Sequence, residues 1–76
     1  MINKWKERIV INPKILVGKP IIKGTRISVS FLLELLAHGW ITEKILKNYP
    51  QLKKEDLQAV LNYSAHRIKM KSIYPL

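Results

Sequence analysis

The sequence has no cysteine, so neither a disulfide bond nor a thiolate metal site can stabilise its fold. It also lacks an apolar run of the roughly 18 residues that a membrane-spanning helix needs, and its first residues lack the apolar core of a signal peptide. Acidic side chains are scarce, with 5 Asp and Glu against 14 Lys and Arg. From these absences we expect a soluble, cytoplasmic protein with a basic surface and no contact with a membrane.

The length of 76 residues allows one domain, of which 47% of the residues are hydrophobic. A chain this short buries only about 60% of its unfolded surface, so its core is marginal. A second copy would extend that core, and we therefore expect a homodimer. Within the single domain we expect a basic arm and β-ribbon over residues 1–28, a three-helix core over residues 29–69 and a tail over residues 70–76.

The net charge of +9 is concentrated at the two ends of the chain. Residues 1–28 carry seven basic residues and one acidic residue, residues 29–52 carry two of each, and residues 53–76 carry five basic and two acidic residues. Basic flanks around a neutral centre favour a polyanion or an acidic protein as partner. The excess of positive charge is equally explained if the surface lysines only keep a small protein in solution. The sequence leaves both interpretations open.

Hydrophobic periodicity predicts three short helices between residues 29 and 68. Ser28 is placed to cap the first helix and Gly39 to follow its end. Thr42 is predicted as the N-cap of the second helix, which Pro50 stops. In the third helix the core positions are predicted as Leu57, Val60, Leu61 and Ile68. The predicted fold is mainly α, a three-helix helix-turn-helix bundle with a short N-terminal antiparallel β-ribbon.

The ribbon is predicted from two short β-branched runs, Ile9–Ile11 and residues 19–22, which we expect to pair antiparallel. Residues 14–17 between them fit one helical turn with Pro13 at its first position. Residues 1–7 are either a frayed end or an arm that packs on a second subunit. The residues expected to form structural turns are Gly18, Pro20, Gly24, Thr25, Gly39 and Pro50.

Catalytic and cofactor chemistry find no support in the sequence. Residues 18–25 superficially resemble a phosphate-binding loop, but Lys23 precedes Gly24 instead of following it, and Pro20 removes a backbone donor. His38 and His66 have no Cys or carboxylate at metal-ligand spacing, and His66 is most simply a surface residue. No serine is tied to a histidine and a carboxylate. We therefore expect no catalytic residue, no cofactor, no metal and no enzymatic activity.

Several motifs resemble a bacterial and archaeal family, domain-of-unknown-function family four-three-three, whose members are often described as VapB-type antitoxins. The resemblance extends from about Arg8 to His66, and its densest block is Gly18-Lys19-Pro20-Ile21-Ile22-Lys23-Gly24-Thr25-Arg26-Ile27. It implies a homeodomain-like fold, commonly dimeric, and a type II antitoxin that neutralises a toxin related to PIN-domain ribonucleases. The sequence departs from the family at Ser28, where proline is usual, and at Lys53, where a Thr or Ser cap is usual.

Two functions follow as hypotheses. In a DNA-binding module the third helix would enter the major groove, with Lys53 and Lys54 on phosphates. The outward side chains of that helix are then candidates for base contacts, namely Gln58, Asn62 and His66. Any solvated helix shows such polar residues, and Glu55 and Asp56 would repel the phosphate backbone. A stand-alone helix-turn-helix protein that binds duplex DNA without a toxin partner remains the alternative.

In an antitoxin, a basic segment would cover the carboxylate cluster of a PIN-like toxin. The preferred segment follows the third helix, and its candidate partner-binding residues are Arg67, Lys69, Met70, Lys71, Ile73 and Tyr74. Residues 4–8 are the second candidate segment. A disordered chain end explains residues 70–76 equally well.

Overall fold

The computed structural model describes residues 4–71, and in this range the chain folds into three α-helices and a two-stranded antiparallel sheet. A short 3-10 helix precedes each strand, Lys4–Glu7 before the first and Leu16–Gly18 before the second. The regular elements are β1 (Ile9–Ile11), β2 (Pro20–Ile22), α1 (Val29–Ala37), α2 (Thr42–Asn48) and α3 (Lys54–Lys71). The predicted mainly helical fold with an N-terminal ribbon is confirmed.

The β-ribbon joins the N-terminal part of the chain to the helices. β1 and β2 pair antiparallel, as predicted, with Ile9 opposite Ile22, Val10 opposite Ile21 and Ile11 opposite Pro20. The prediction of Pro20 as a turn residue is wrong, because Pro20 is the first residue of β2. Ile21 also forms an isolated bridge with Ser28. β2 therefore lies between β1 and the start of α1, and its buried side chains Ile21 and Ile22 need no second subunit to cover them.

The turns of the ribbon depend on left-handed backbone conformations. Gly24 has φ +81° and Gly18 has φ +77°, angles that residues with a side chain avoid. The helical turn predicted for residues 14–17 is wrong, because the 3-10 turn begins at Leu16, and Leu16 and Val17 both have positive φ. Val17 is 94% exposed, so no burial of its side chain compensates for this strained conformation.

The helix ends follow the predicted signals with one exception. Ser28 caps α1, because the Phe31 N–H donates to Ser28 Oγ at 3.0 Å, and Gly39 follows the end of α1 with φ +91°. The prediction of Thr42 as a cap is wrong by one residue. Ile41 occupies the capping position with extended backbone and no side-chain hydrogen bond, and Thr42 is the first helical residue. α2 ends at Asn48, two residues before Pro50.

The core lies where the ribbon and the three helices meet. Its buried members are Ile9, Ile22, Val29, Leu32, Ile45, Leu52, Leu57, Ala59 and Val60. The prediction that Leu61 and Ile68 belong to the core is wrong, since they are 47% and 70% exposed. Leu61 lies one turn after the buried Leu57 but about 40° further around α3, beyond the edge of the covered face.

Within residues 4–71, no helix has the length and apolar character needed to cross a bilayer.

Candidate interaction surface on the third helix

The start of α3 is held by Asp56, a buried carboxylate with two different partners. Asp56 Oδ2 accepts a hydrogen bond from the Lys53 N–H at 2.9 Å, and Oδ1 accepts one from Arg8 Nη1 at 3.0 Å. The first bond is the returning half of a capping box, in which the side chain of Asp56 satisfies the Lys53 N–H, although the Lys53 side chain cannot supply the other half. Leu52 and Leu57 are buried on either side of this helix start, as expected for a hydrophobic staple.

Trp5 fixes the N-terminal 3-10 helix against the middle of α3. Its ring lies 5.0 Å from the Tyr63 ring in an edge-on arrangement and 5.5 Å from the His66 ring, measured between centroids. The 3-10 helix therefore packs on the third helix of its own chain. Its residues form neither a frayed end nor an arm that packs on a second subunit. The interpretation of His66 as a simple surface residue is also wrong, because His66 is half-buried beside Trp5.

The five residues predicted to contact DNA do not share one face of α3. Lys53, Lys54 and Gln58 are exposed near its start, whereas Asn62 and His66 are half-buried. Steps of four residues overshoot one helical turn by about 40°, so a line of such steps winds around the helix. Here that line begins on the solvent side at Lys54 and ends against Trp5. The structure thus brings together three of the five candidates.

An apolar groove, which the sequence did not reveal, lies between α1 and the C-terminal half of α3. Its volume is about 310 Å³, and it is lined by Pro20, Val29, Leu33, Tyr63, Arg67 and Ile68 among others. Ser64 also lines it, and Ser64 Oγ is buried without a hydrogen-bond partner among the described residues. The groove lies where two helices far apart in the sequence meet, and no local sequence pattern reports such a contact.

The candidate partner-binding residues start at this groove. Arg67 lines it and is exposed, and Lys69 is exposed two residues later. Met70 and Lys71 belong to the last turn of α3. Ile73 and Tyr74 lie outside the described residues. Lys69 lies on nearly the opposite side of α3 from Arg67. The exposed Arg67 therefore borders an apolar groove, an arrangement suited to a partner that has an apolar side chain beside a carboxylate.

Comparison with known proteins identifies relatives of unknown function. The family model described as "Protein of unknown function (DUF433)" matches residues 9–64. The crystal structure of a DUF433 member protein from Anabaena variabilis ATCC 29413 is similar, with a TM-score of 0.77 and 33% sequence identity. That similarity covers 83% of this chain and 62% of the Anabaena chain, so the present chain spans less than two thirds of its relative. The comparison with curated proteins gave no match.

Proposed function

We propose a function for this chain from one premise: it belongs to the DUF433 family, whose members are proteins of unknown function. The proposed function is that of an antitoxin-like subunit of a type II toxin–antitoxin pair. As a homodimer it would neutralise a PIN-like ribonuclease, acting by binding and not by catalysis. The toxin is expected to be encoded by the neighbouring gene, recognisable by its cluster of carboxylates.

The observation that supports this proposal is the apolar groove with a basic border. Arg67 contributes to the groove itself and supplies its positive charge. A PIN-like nuclease holds divalent metal on clustered carboxylates. An apolar side chain of the toxin that filled the groove would place nearby carboxylates beside Arg67. Burial of apolar surface would then supply affinity, and the charges would supply orientation.

A truncation of the chain after His66 tests this proposal. It removes Arg67 and all later residues, but it keeps Tyr63 and His66, against which Trp5 packs. We expect the truncated chain to keep its helical circular dichroism and to lose protection in a growth assay with co-expressed toxin. Protection equal to that of the full chain would refute a role for this segment and make residues 4–8 the next candidate.

DNA binding is a second candidate function, supported by the exposure of Lys53, Lys54 and Gln58 within two turns of α3. It would serve an antitoxin that binds its own operator, or a stand-alone DNA-binding protein without a toxin. The logarithm of the affinity for duplex DNA should fall with the logarithm of salt concentration, by about 0.9 for each phosphate contacted. Lys54→Gln should reduce that slope by about one, while Lys47→Gln on α2 leaves it unchanged. Equal slopes for both variants would exclude Lys54 from the interface.

A further inference from the structure

We infer that the solvent-facing side of α3 is the interface through which two copies of this chain associate, with their α3 helices packed antiparallel. This inference rests on the proposed homodimer and names the surface that forms it. The surface, termed the α3 stripe, consists of Gln58, Leu61, Ala65 and Ile68. It shares Ile68 with the groove, which opens toward α1, and its other three residues lie outside the groove.

The α3 stripe presents apolar side chains that the fold leaves in water. Leu61 and Ile68 are among the most exposed large hydrophobic residues of α3, and Ala65 between them is also exposed. Spacings of three, four and three residues keep the stripe on one side of the helix. The small Ala65 side chain near its centre permits the close approach of a second helix, since the distance between helix axes depends on the side chains at the contact.

The charges of α3 favour a second, antiparallel α3 as the occupant of the stripe. Glu55 lies in the first turn, and Lys69 lies near the end. The two residues lie within about 40° of each other around the helix axis, so both border the same edge of the stripe. In an antiparallel pair the Glu55 of each copy lies alongside the Lys69 of the other. In a parallel pair the same edge of each stripe falls on opposite sides of the interface, so Glu55 and Lys69 of the two copies would not meet.

A two-fold axis that passes between Leu61 and Ala65 satisfies the apolar and the charged contacts together. In that arrangement Leu61 of each copy packs on Ala65 of the other, as an interface between identical surfaces requires. Gln58 becomes covered, so dimerisation through the stripe and DNA contact through Gln58 exclude each other. The second copy covers the Ile68 edge of the groove, whereas Arg67 lies about 100° further around α3 and stays available to a toxin.

Sedimentation velocity of the full chain over a concentration series tests the stripe. We expect a concentration-dependent dimer, and we expect Leu61→Ser to raise its dissociation constant at least tenfold. The matched control is Ile41→Ser, which removes a 63%-exposed side chain before α2 and should leave the dimer unchanged. Thermal melts of both variants establish that each is folded.

Charge exchange provides a second test that does not depend on removing an apolar side chain. Glu55→Lys and Lys69→Glu should each weaken the dimer, because each creates two contacts between like charges. A mixture of the two variants should restore it as a heterodimer, since both contacts are then complementary. The controls Glu43→Lys and Lys47→Glu make the same charge changes near the ends of α2 and should have no such effect.

Three results would overturn the inference in distinguishable ways. A wild-type chain that stays monomeric at every concentration refutes both the stripe and the proposed homodimer. A dimer unaffected by Leu61→Ser and by the charge exchanges refutes the stripe alone. If Leu61→Ser weakens toxin neutralisation or DNA binding but not dimerisation, the stripe belongs to that partner and not to a second copy.

Discussion

Replacement of Asp56 by alanine should destabilise the fold far more than the loss of an exposed acidic side chain does. The substitution removes the acceptor of the Lys53 N–H and the partner of Arg8 at once. The loss of a helix cap costs about 1 kcal/mol. A hydrogen bond to a charged group contributes about 1.5–3 kcal/mol when buried, and the lower part of that range applies because the Arg8 side chain is 35% exposed.

The two losses at Asp56 amount to about 2–3 kcal/mol, which for a domain of this size lowers the melting temperature by about 10–20 °C. Thermal unfolding followed by circular dichroism measures the change. Glu55→Ala is the matched control, because Glu55 is an exposed acidic residue in the same helical turn, worth about 0.3–1 kcal/mol through the helix dipole. Equal losses for Asp56→Ala and Glu55→Ala would refute the argued role of the buried carboxylate.

Three further predictions concern the backbone and the N-terminal packing. Gly24→Val and Gly18→Val should each lower the free energy of unfolding by at least about 1 kcal/mol, because valine is strained at the positive φ angles of these glycines. Unchanged melting temperatures would contradict this. Val17→Asn should raise the free energy of unfolding by about 1 kcal/mol, since asparagine tolerates the left-handed region and the valine side chain is exposed. A lower melting temperature would contradict the argument that the backbone of Val17 is strained. Trp5→Ala should lower the free energy of unfolding by about 2 kcal/mol, less than the loss of a fully buried tryptophan, whereas Lys6→Ala should change it little. Equal effects of the two substitutions would show that the Trp5 ring does not stabilise α3.

The sequence predicted the helices and the ribbon because their signals are local. Ser28, Gly39 and Pro50 mark helix ends through their own backbone and side-chain chemistry, so a short window around each was sufficient. The prediction of Thr42 as the cap of α2 was wrong because it also rested on a local signal alone. A threonine before a helical pattern is a good cap, but the extended backbone of Ile41 placed the helix start one residue earlier.

The interaction surface depended on tertiary facts that no local pattern contains. Leu61 and Ile68 follow the helical spacing of Leu57, yet of the three only Leu57 is buried, because spacing alone does not show where the covered face of α3 ends. His66 was assigned to the surface, although Trp5, close to the opposite end of the chain, lies against it. Lys53 was recognised as a weak cap, but the role of Asp56 required knowing that Arg8 reaches the start of α3.

The proposed function predicts that the neighbouring gene encodes a PIN-like nuclease, and the affinity for that nuclease tests the proposal most directly. It should be measured by titration calorimetry for the wild type, for Arg67→Glu in the groove and for Lys47→Glu on α2, which makes the same change of charge sign at an exposed site. We predict that Arg67→Glu weakens binding at least tenfold and that Lys47→Glu changes it less than twofold. Equal affinities for the two variants, or no binding of the wild type to that nuclease, would contradict the account.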